Sequence, residues 1–361
     1  MTKYKYNWNL KDTKFTRDKG KVFSCFSCGG GSTMGYKLAG FDVIGCNEID
    51  PKMMDVYIKN HNPAYPFLAP IQEFKNYDLL PDPLFNLDIL DGSPPCSSFS
   101  TAGVRERDWG VKRKFKEGQA KQILDTLFFD FIDLTNRLQP KVVIAENVKG
   151  ILLGNARKYA IKVYEELDKA GYYVQHFLLD ASAMGVPQRR ERVFFIGLRK
   201  DLASPFIKKL DFLTEKPFIN LRFIEDIIPF GKIETKDNSR KPLIESYQKY
   251  YEKANEYGVY DERSRGGKKI GYFRRAVKNL PLATIMTSNT FSIDEKPAQL
   301  NDTELALCST FPMDYDYLDN DVQYIVGMSV PPVMIAQIAD RVYEYWLSKI
   351  NMPAQEKALA I

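Results

Sequence analysis

The chain has 361 residues, 44% hydrophobic and 13% aromatic, with a formal net charge of +5 and a pI near 8.7. That length suits one large domain plus a smaller one, and the apolar content excludes wholesale disorder. The mildly basic balance permits a polyanionic partner without demanding one, and five cysteines at irregular spacing argue against a disulfide framework and for a reducing compartment.

In chain order, the start MTKYKYNWNLKDTK is polar and lacks the apolar core of a secretory signal. The longest apolar runs, such as Val193 to Leu198, are too short to span a bilayer, so a soluble, cytoplasmic protein is expected; a monomer is expected as well. KVFSCFS (21–27) reads as a buried strand that runs into Cys28-Gly29-Gly30-Gly31. STMGYKLAGF has helical spacing, and FDVIGCNEID (41–50) is a second strand ending in acids, which completes a β–glycine loop–α–β unit. LFNLDILDGSPPC (84–96) is a third strand entering a proline-rich turn. Residues 97–118 lack apolar periodicity, carry six basic side chains including Arg105 and Arg107, and read as a basic loop. An amphipathic helix is predicted over 123–138, a buried strand over 140–148, a helix near 157–170, and strands over 172–180 and 192–199. This alternation implies an α/β fold with a mixed, mostly parallel sheet covered by helices.

The pattern changes after residue 199. Residues 199–272 are irregular and carry most of the net positive charge. Regular structure is predicted to return at 276–287 and 302–308, and 332–350 reads as a helix with Ile335, Ile338, Val342 and Trp346 on one face. The expected division is 1–198, 199–300 and 301–361, the last segment completing the first.

A glycine turn between strand and helix lets backbone N–H groups approach a ligand, and Glu48, 18 residues beyond Gly30, can accept from ribose hydroxyls. The unit suits an adenosine-containing cofactor; NAD, a nucleotide and S-adenosylmethionine all remain open on these residues. Cys25-x-x-Cys28 has no second cysteine pair, and the chain has two histidines, His61 and His176, so no metal site is expected. In Gly92-Ser93-Pro94-Pro95-Cys96 two prolines present a thiol rigidly at a strand's carboxyl end, as nucleophilic catalysis requires.

Taken together these blocks resemble, in order, those of the cytosine-5 DNA methyltransferase family. They are FSCGGGSTMGYKLAGF, NEID, SPPCSSFS, AENV (145–148), VPQRRERVFFIG (186–197), RRAVKNLPLATI (274–285), LNDTELALCSTFPMDY (300–315) and QYIVGMSVPP (323–332). The resemblance implies a Rossmann-like catalytic domain, S-adenosylmethionine as methyl donor, duplex DNA as substrate and a smaller target-recognition domain over 199–300. Its catalytic residues would be Cys96 as nucleophile, Glu146 at cytosine N3, Asn147 bracing the turn, Arg192 at O2 and Arg190 nearby. Phe26, Gly30, Gly31, Glu48, Ile71, Ser100 and Ser329 would hold the cofactor. DNA would meet Ser98, Arg105, Arg107, Arg263, Arg265, Lys268 and Lys269. A restriction endonuclease sharing the site is the expected functional companion. Two rivals remain: a transfer-RNA cytosine-5 methyltransferase, and a catalytically silent DNA-binding protein of the same fold.

The chain departs from the family pattern at three places. Cys28 stands where the family has a glycine, Pro70 replaces the acid before Ile71, and Met328 precedes Ser329 in the closing block. All three bear on cofactor binding.

Overall fold

A computed structural model describes residues 3–95, 126–154, 156–209, 215–236, 240–243, 245–261, 272–287, 291–293 and 297–352. The chain divides into two compact units. The larger contains Phe15–Leu179, Glu191–Arg222 and Ile335–Ile361; the smaller contains Met1–Lys14, Asp180–Arg190 and Phe223–Met334.

The larger unit is built on a seven-stranded sheet. Its strands are β1 (Lys21–Cys25), β2 (Asp42–Glu48), β3 (Tyr65–Leu68), β4 (Ile89–Gly92), β5 (Val142–Val148), β6 (Tyr172–Asp180, its last residue in the smaller unit) and β8 (Glu191–Arg199), in the order β3-β2-β1-β4-β5-β8-β6. The first five strands run parallel, and β8 returns antiparallel to β5. Strands buried on both faces need continuous apolar runs, which Val22–Phe23, Ile89–Leu90, Val142–Ala145 and Val193–Ile196 supply. Helices α1 (Gly31–Ala39), α2 (Pro51–His61), α4 (Leu127–Leu138) and α5 (Ala156–Lys169) connect them, with a short α3 (Ile71–Phe74) after β3. The main core gathers Phe23, Phe74, Phe128, Phe131, Val143, Val163 and Phe195.

Several elements differ from the sequence expectation. The strand expected over 84–96 is confined to Ile89–Gly92, because Asp82–Asn86, with Pro83 in its first turn, winds into a 3-10 helix instead. The first strand stops at Cys25, since Phe26 already has φ +54°. Helix α2, N-capped by Asp50 through the Lys52 N–H at 2.9 Å, and the edge strand β3 were not anticipated. The C-terminal helix begins at Pro332 as expected but contains a π-helical turn at Tyr343–Leu347. The segment Val322–Ile350 is long and apolar enough to cross a bilayer, but 83% of its apolar window is buried inside the protein, as in a core helix.

In the smaller unit, strands Val259–Asp261, Tyr272–Arg275 and Phe291–Ser292 form a small sheet. A core of Leu243, Tyr260 and Phe273 lies against it. The helix Asp302–Cys308 carries a capping box between Asn301 and Glu304. The two-residue β7 (Gln188–Arg189) pairs parallel with Leu282–Ala283.

Gly92, the last residue of β4, is fixed by packing. A Cβ there would lie 2.5 Å from Phe131 Cε2 on α4. We expect Gly92→Ala to cost about 1–3 kcal/mol through overpacking, read as a lowered melting temperature by circular dichroism.

Candidate active site

The carboxyl edge of the parallel strands in the larger unit gathers most of the sequence-predicted residues that the structure describes. β1 leads into a left-handed turn: Phe26 has φ +54°, Cys28 +45° and Gly30 +80°. Gly30 is required twice over, because a Cβ would also overlap the His61 ring. Gly30 caps α1 without a side-chain acceptor, so first-turn N–H groups from Gly31 onward face no capping oxygen.

The turn is tied to β2 by Glu48. Its Oε2 accepts the Cys28 N–H at 2.7 Å, and its Oε1 accepts the Ile49 and Asp50 N–H groups at 2.9 and 3.0 Å. Burial raises the Glu48 carboxyl, while those backbone donors oppose the rise. A carboxylate offers about four acceptor positions. Three are filled, so the geometry leaves room for one further donor rather than a pair of ribose hydroxyls. Ile71, 3% exposed, sits in the main core, with Phe26 partly buried against it. Pro70 begins α3 without a side-chain cap. Asn47 holds this segment instead, its Nδ2 donating to the Phe67 and Ala69 carbonyls at 3.2 and 2.8 Å.

Farther along the edge, Glu146 on β5 and Arg192 on β8 form an ion pair, Nε to Oε1, at 2.9 Å. They are diagonal partners of the antiparallel ladder, in which Val148 stands opposite Arg192. Burial depresses the Arg192 guanidinium and Glu146 opposes that. Asn147 donates from Nδ2 to the Pro94 carbonyl at 3.3 Å and accepts the Val148 N–H at 2.9 Å. The turn just before Cys96 is thereby pinned to β5.

Arg190 and Ser329 belong to the smaller unit. The Arg190 guanidinium, 2% exposed, donates to the Ile285 and Gly327 carbonyls at 2.8 and 2.9 Å and serves as a backbone clamp. Gln188 of the same block donates to the Cys308 carbonyl at 3.3 Å and accepts the Ile285 N–H at 3.1 Å. Ser329 is 5% exposed, and its hydroxyl has no partner among the described residues. Cys96, Ser98, Ser100, Arg105, Arg107, Arg263, Arg265, Lys268 and Lys269 lie outside the described residues. Burial pushes the Cys25 and Cys308 thiols well up and Cys46 to about 12, so none of these three is a neutral-pH nucleophile.

The profile of the family described as C-5 cytosine-specific DNA methylase matches residues 20–344. The chain belongs to that family. Among curated relatives, this methylase-family chain is 33% identical to the type II methyltransferase M.FnuDI of Fusobacterium nucleatum over 63% of its own length and 62% of the relative's. It is 33% identical to M.NgoPII of Neisseria gonorrhoeae over 52% of its own length and 50% of that protein, so it spans less than two thirds of both. M.NgoFVII of the same organism matches more extensively, 26% identical over 91% of this chain and 88% of the relative. Solved structures share the fold. A Spodoptera frugiperda DNMT2 variant superposes with a TM-score of 0.62 at 18% identity, covering 90% of this chain and 99% of that one. The Dnmt2 methyltransferase of S. pombe gives 0.60 at 13% identity, covering 92% and 99%.

One residue of the edge escaped sequence reasoning. Asp91, on β4 and 1% exposed, accepts from Ser24 Oγ at 2.8 Å and from the Tyr36 hydroxyl at 3.0 Å. Burial, opposed by these hydroxyls and reinforced by nearby Glu146, raises its carboxyl to about 7. The only signal was an acid interrupting the apolar run of LFNLDILDG. The native state holds the Asp91 proton more tightly than the unfolded chain, whose carboxyl has the ordinary value of 3.8. Stability contributed by that proton is therefore full below about pH 4 and lost as pH rises through about 7. Asp91→Asn should flatten this part of the stability profile and exceed the wild type above pH 7, as read by urea unfolding at several pH values.

Proposed function

We propose that the protein methylates C5 of cytosine in a short duplex DNA sequence, using S-adenosylmethionine. The observation that carries this reading is the buried Glu146–Arg192 pair on strands β5 and β8, beside the Asn147 tie to the turn that leads into Cys96. A family match over residues 20–344 supports it.

Cytosine C5 is a poor nucleophile. Addition of the Cys96 thiolate to C6 breaks the ring's aromaticity and places enamine electron density on C5. Glu146 would hold a proton at N3 and accept from the exocyclic amine, while Arg192 would donate to O2; that pattern distinguishes cytosine from uracil and thymine. S-adenosylmethionine, when bound, would supply an electrophilic methyl group, which C5 takes up as the methyl–sulfur bond breaks and its electron pair stays with the departing neutral thioether. A base then removes the C5 proton, the electron pair returns to the ring and the Cys96 sulfur departs. These atoms are hidden within a duplex, so the target nucleotide must be flipped out.

The residues present fit the methyl donor. The left-handed turn with Gly30, the uncapped start of α1 at Gly31, the remaining acceptor position of Glu48 and the apolar Phe26 and Ile71 would hold its adenosine and amino-acid parts. The family resemblance would add Ser100 and Ser329 to the cofactor set; the Ser329 hydroxyl is buried and has no partner among the described residues. The basic segment after Cys96, with Ser98, Arg105 and Arg107, would close over the flipped base. Residues 199–300 would read the target, with Arg263, Arg265, Lys268 and Lys269 serving phosphates or base edges. A restriction enzyme acting on the same sequence, a monomeric state and a cytoplasmic site of action complete the reading.

Bisulfite sequencing of DNA from cells expressing the protein should reveal protected cytosines within one short sequence. Cys96→Ser should abolish that protection, and its retention would refute the mechanism. Glu146→Gln should lower the transfer rate by about 10²–10⁴-fold, measured with tritiated methyl donor under single-turnover conditions.

A further inference from the structure

Asp91 lies where three parts of the proposed machinery meet. It stands level with Ser24 on β1 and with Ile144 on β5. Glu146, two residues beyond Ile144, therefore projects from the same face of the sheet, one step nearer the carboxyl edge. The donors that converge on Asp91 come from both sides of the glycine turn: Ser24 precedes it, and Tyr36 follows it on α1. Beyond Asp91, β4 ends and passes through Ser93, Pro94 and Pro95 to Cys96. One buried carboxylate thus ties the two limbs of the cofactor turn to the strand that delivers the nucleophile.

We infer that Asp91 is a positioning residue for the methyl donor, its ionised form bracketing the glycine turn through Ser24 and Tyr36 and setting that turn against the strand that leads to Cys96. The inference rests on the methyltransferase reading above.

Ser24 donates to one carboxylate oxygen and Tyr36 to the other, so only the ionised form accepts from both in this arrangement; protonation turns one acceptor into a donor and loosens the bracket. An anion under the turn also favours the cationic sulfonium of the donor. Both effects act in the same direction, so binding should weaken as Asp91 takes up its proton. The other ionisable groups on its face of the sheet are Tyr36 on α1, pushed well up by burial, and Glu146 on β5, paired with Arg192 of β8; Cys25, next to Ser24 on β1, points into the main core on the opposite face and is likewise pushed well up by burial. Cys25 and Tyr36 therefore stay neutral through the range in which Asp91 titrates.

The test measures kcat and KM for S-adenosylmethionine between pH 5.5 and 8.5, with calorimetric binding in parallel, for the wild type, Asp91→Asn, Asp91→Ala and Tyr36→Phe. Folding of each variant is verified by thermal melting. For the wild type, KM should fall about tenfold as pH rises through about 7. Asp91→Asn, which keeps the shape and one acceptor but no titration, should give a flat profile at the wild type's acid-side value. Asp91→Ala should raise KM further still, with a smaller fall in kcat, and Tyr36→Phe should raise it severalfold while keeping the pH dependence. A folded Asp91→Ala protein with wild-type KM would overturn the inference, as would an Asp91→Asn profile that tracks the wild type. If the wild type itself neither binds S-adenosylmethionine nor transfers methyl groups, the functional reading fails instead. Should Asp91→Ala not fold, Asp91→Asn and Tyr36→Phe decide the matter alone.

Discussion

Three carboxylates are buried along one edge of a parallel sheet, and the surrounding structure is organised by what it takes to keep them there. Glu48 ends β2, Asp91 lies one residue from the end of β4, and Glu146 lies near the end of β5; they are 6%, 1% and 9% exposed. A carboxylate taken out of water costs several kcal/mol unless hydrogen bonds or an opposite charge replace its hydration. Each is satisfied differently: Glu48 by three backbone N–H groups, Asp91 by hydroxyls, Glu146 by a guanidinium. The partner determines what each group can do next. Backbone donors hold Glu48 in a fixed orientation. The hydroxyls around Asp91 can exchange donor and acceptor roles as it gains or loses a proton. The guanidinium of Arg192 balances the charge of Glu146.

The same balance explains the unusual residue in the glycine turn. Cys28 carries a Cβ in the left-handed region, which costs about 1–2 kcal/mol. That conformation directs its N–H at Glu48 at 2.7 Å, a charge-assisted bond with a net contribution of about 1.5–3 kcal/mol. The bond offsets the strain, so the turn survives the loss of a glycine that the family pattern would place there. After β3, Asn47 compensates for Pro70, holding the backbone where a side-chain cap is missing.

How much of this was legible in the sequence depended on how deeply each element is buried. β1, β2, β5 and β8 announced themselves because strands covered on both faces must be apolar nearly throughout. β3 did not, because it is an edge strand of four residues, none of them fully buried, and contains Pro66. Its helix α2 has five buried residues out of eleven and a polar exposed side that blurs the helical period. Glu48 and Glu146 were legible as acids at strand ends, the position at which open α/β sheets gather ligands. Asp91 was not, because its meaning lies in Ser24 and Tyr36, 67 and 55 residues away in the chain. Arg190 and Arg192 look interchangeable in VPQRRERVFFIG, yet they fall in different units and one of them is used up on the carbonyls of Ile285 and Gly327. No one-dimensional pattern distinguishes a clamp from an arginine that pairs with Glu146 two residues later.

The Glu146–Arg192 pair shapes what the proposed site can accept. Within the pair each group neutralises the other. A base that separates them must replace both halves of the pair at once, or one charge is left buried and unpaired at a cost of several kcal/mol. Cytosine meets both demands, since its amine and protonated N3 donate while its O2 accepts. Uracil presents a carbonyl where Glu146 needs a donor, and so would set two acceptors against each other. In the proposed reaction, discrimination would come less from the strength of the cytosine contacts than from the expense of parting the pair for any base that restores only one side of it.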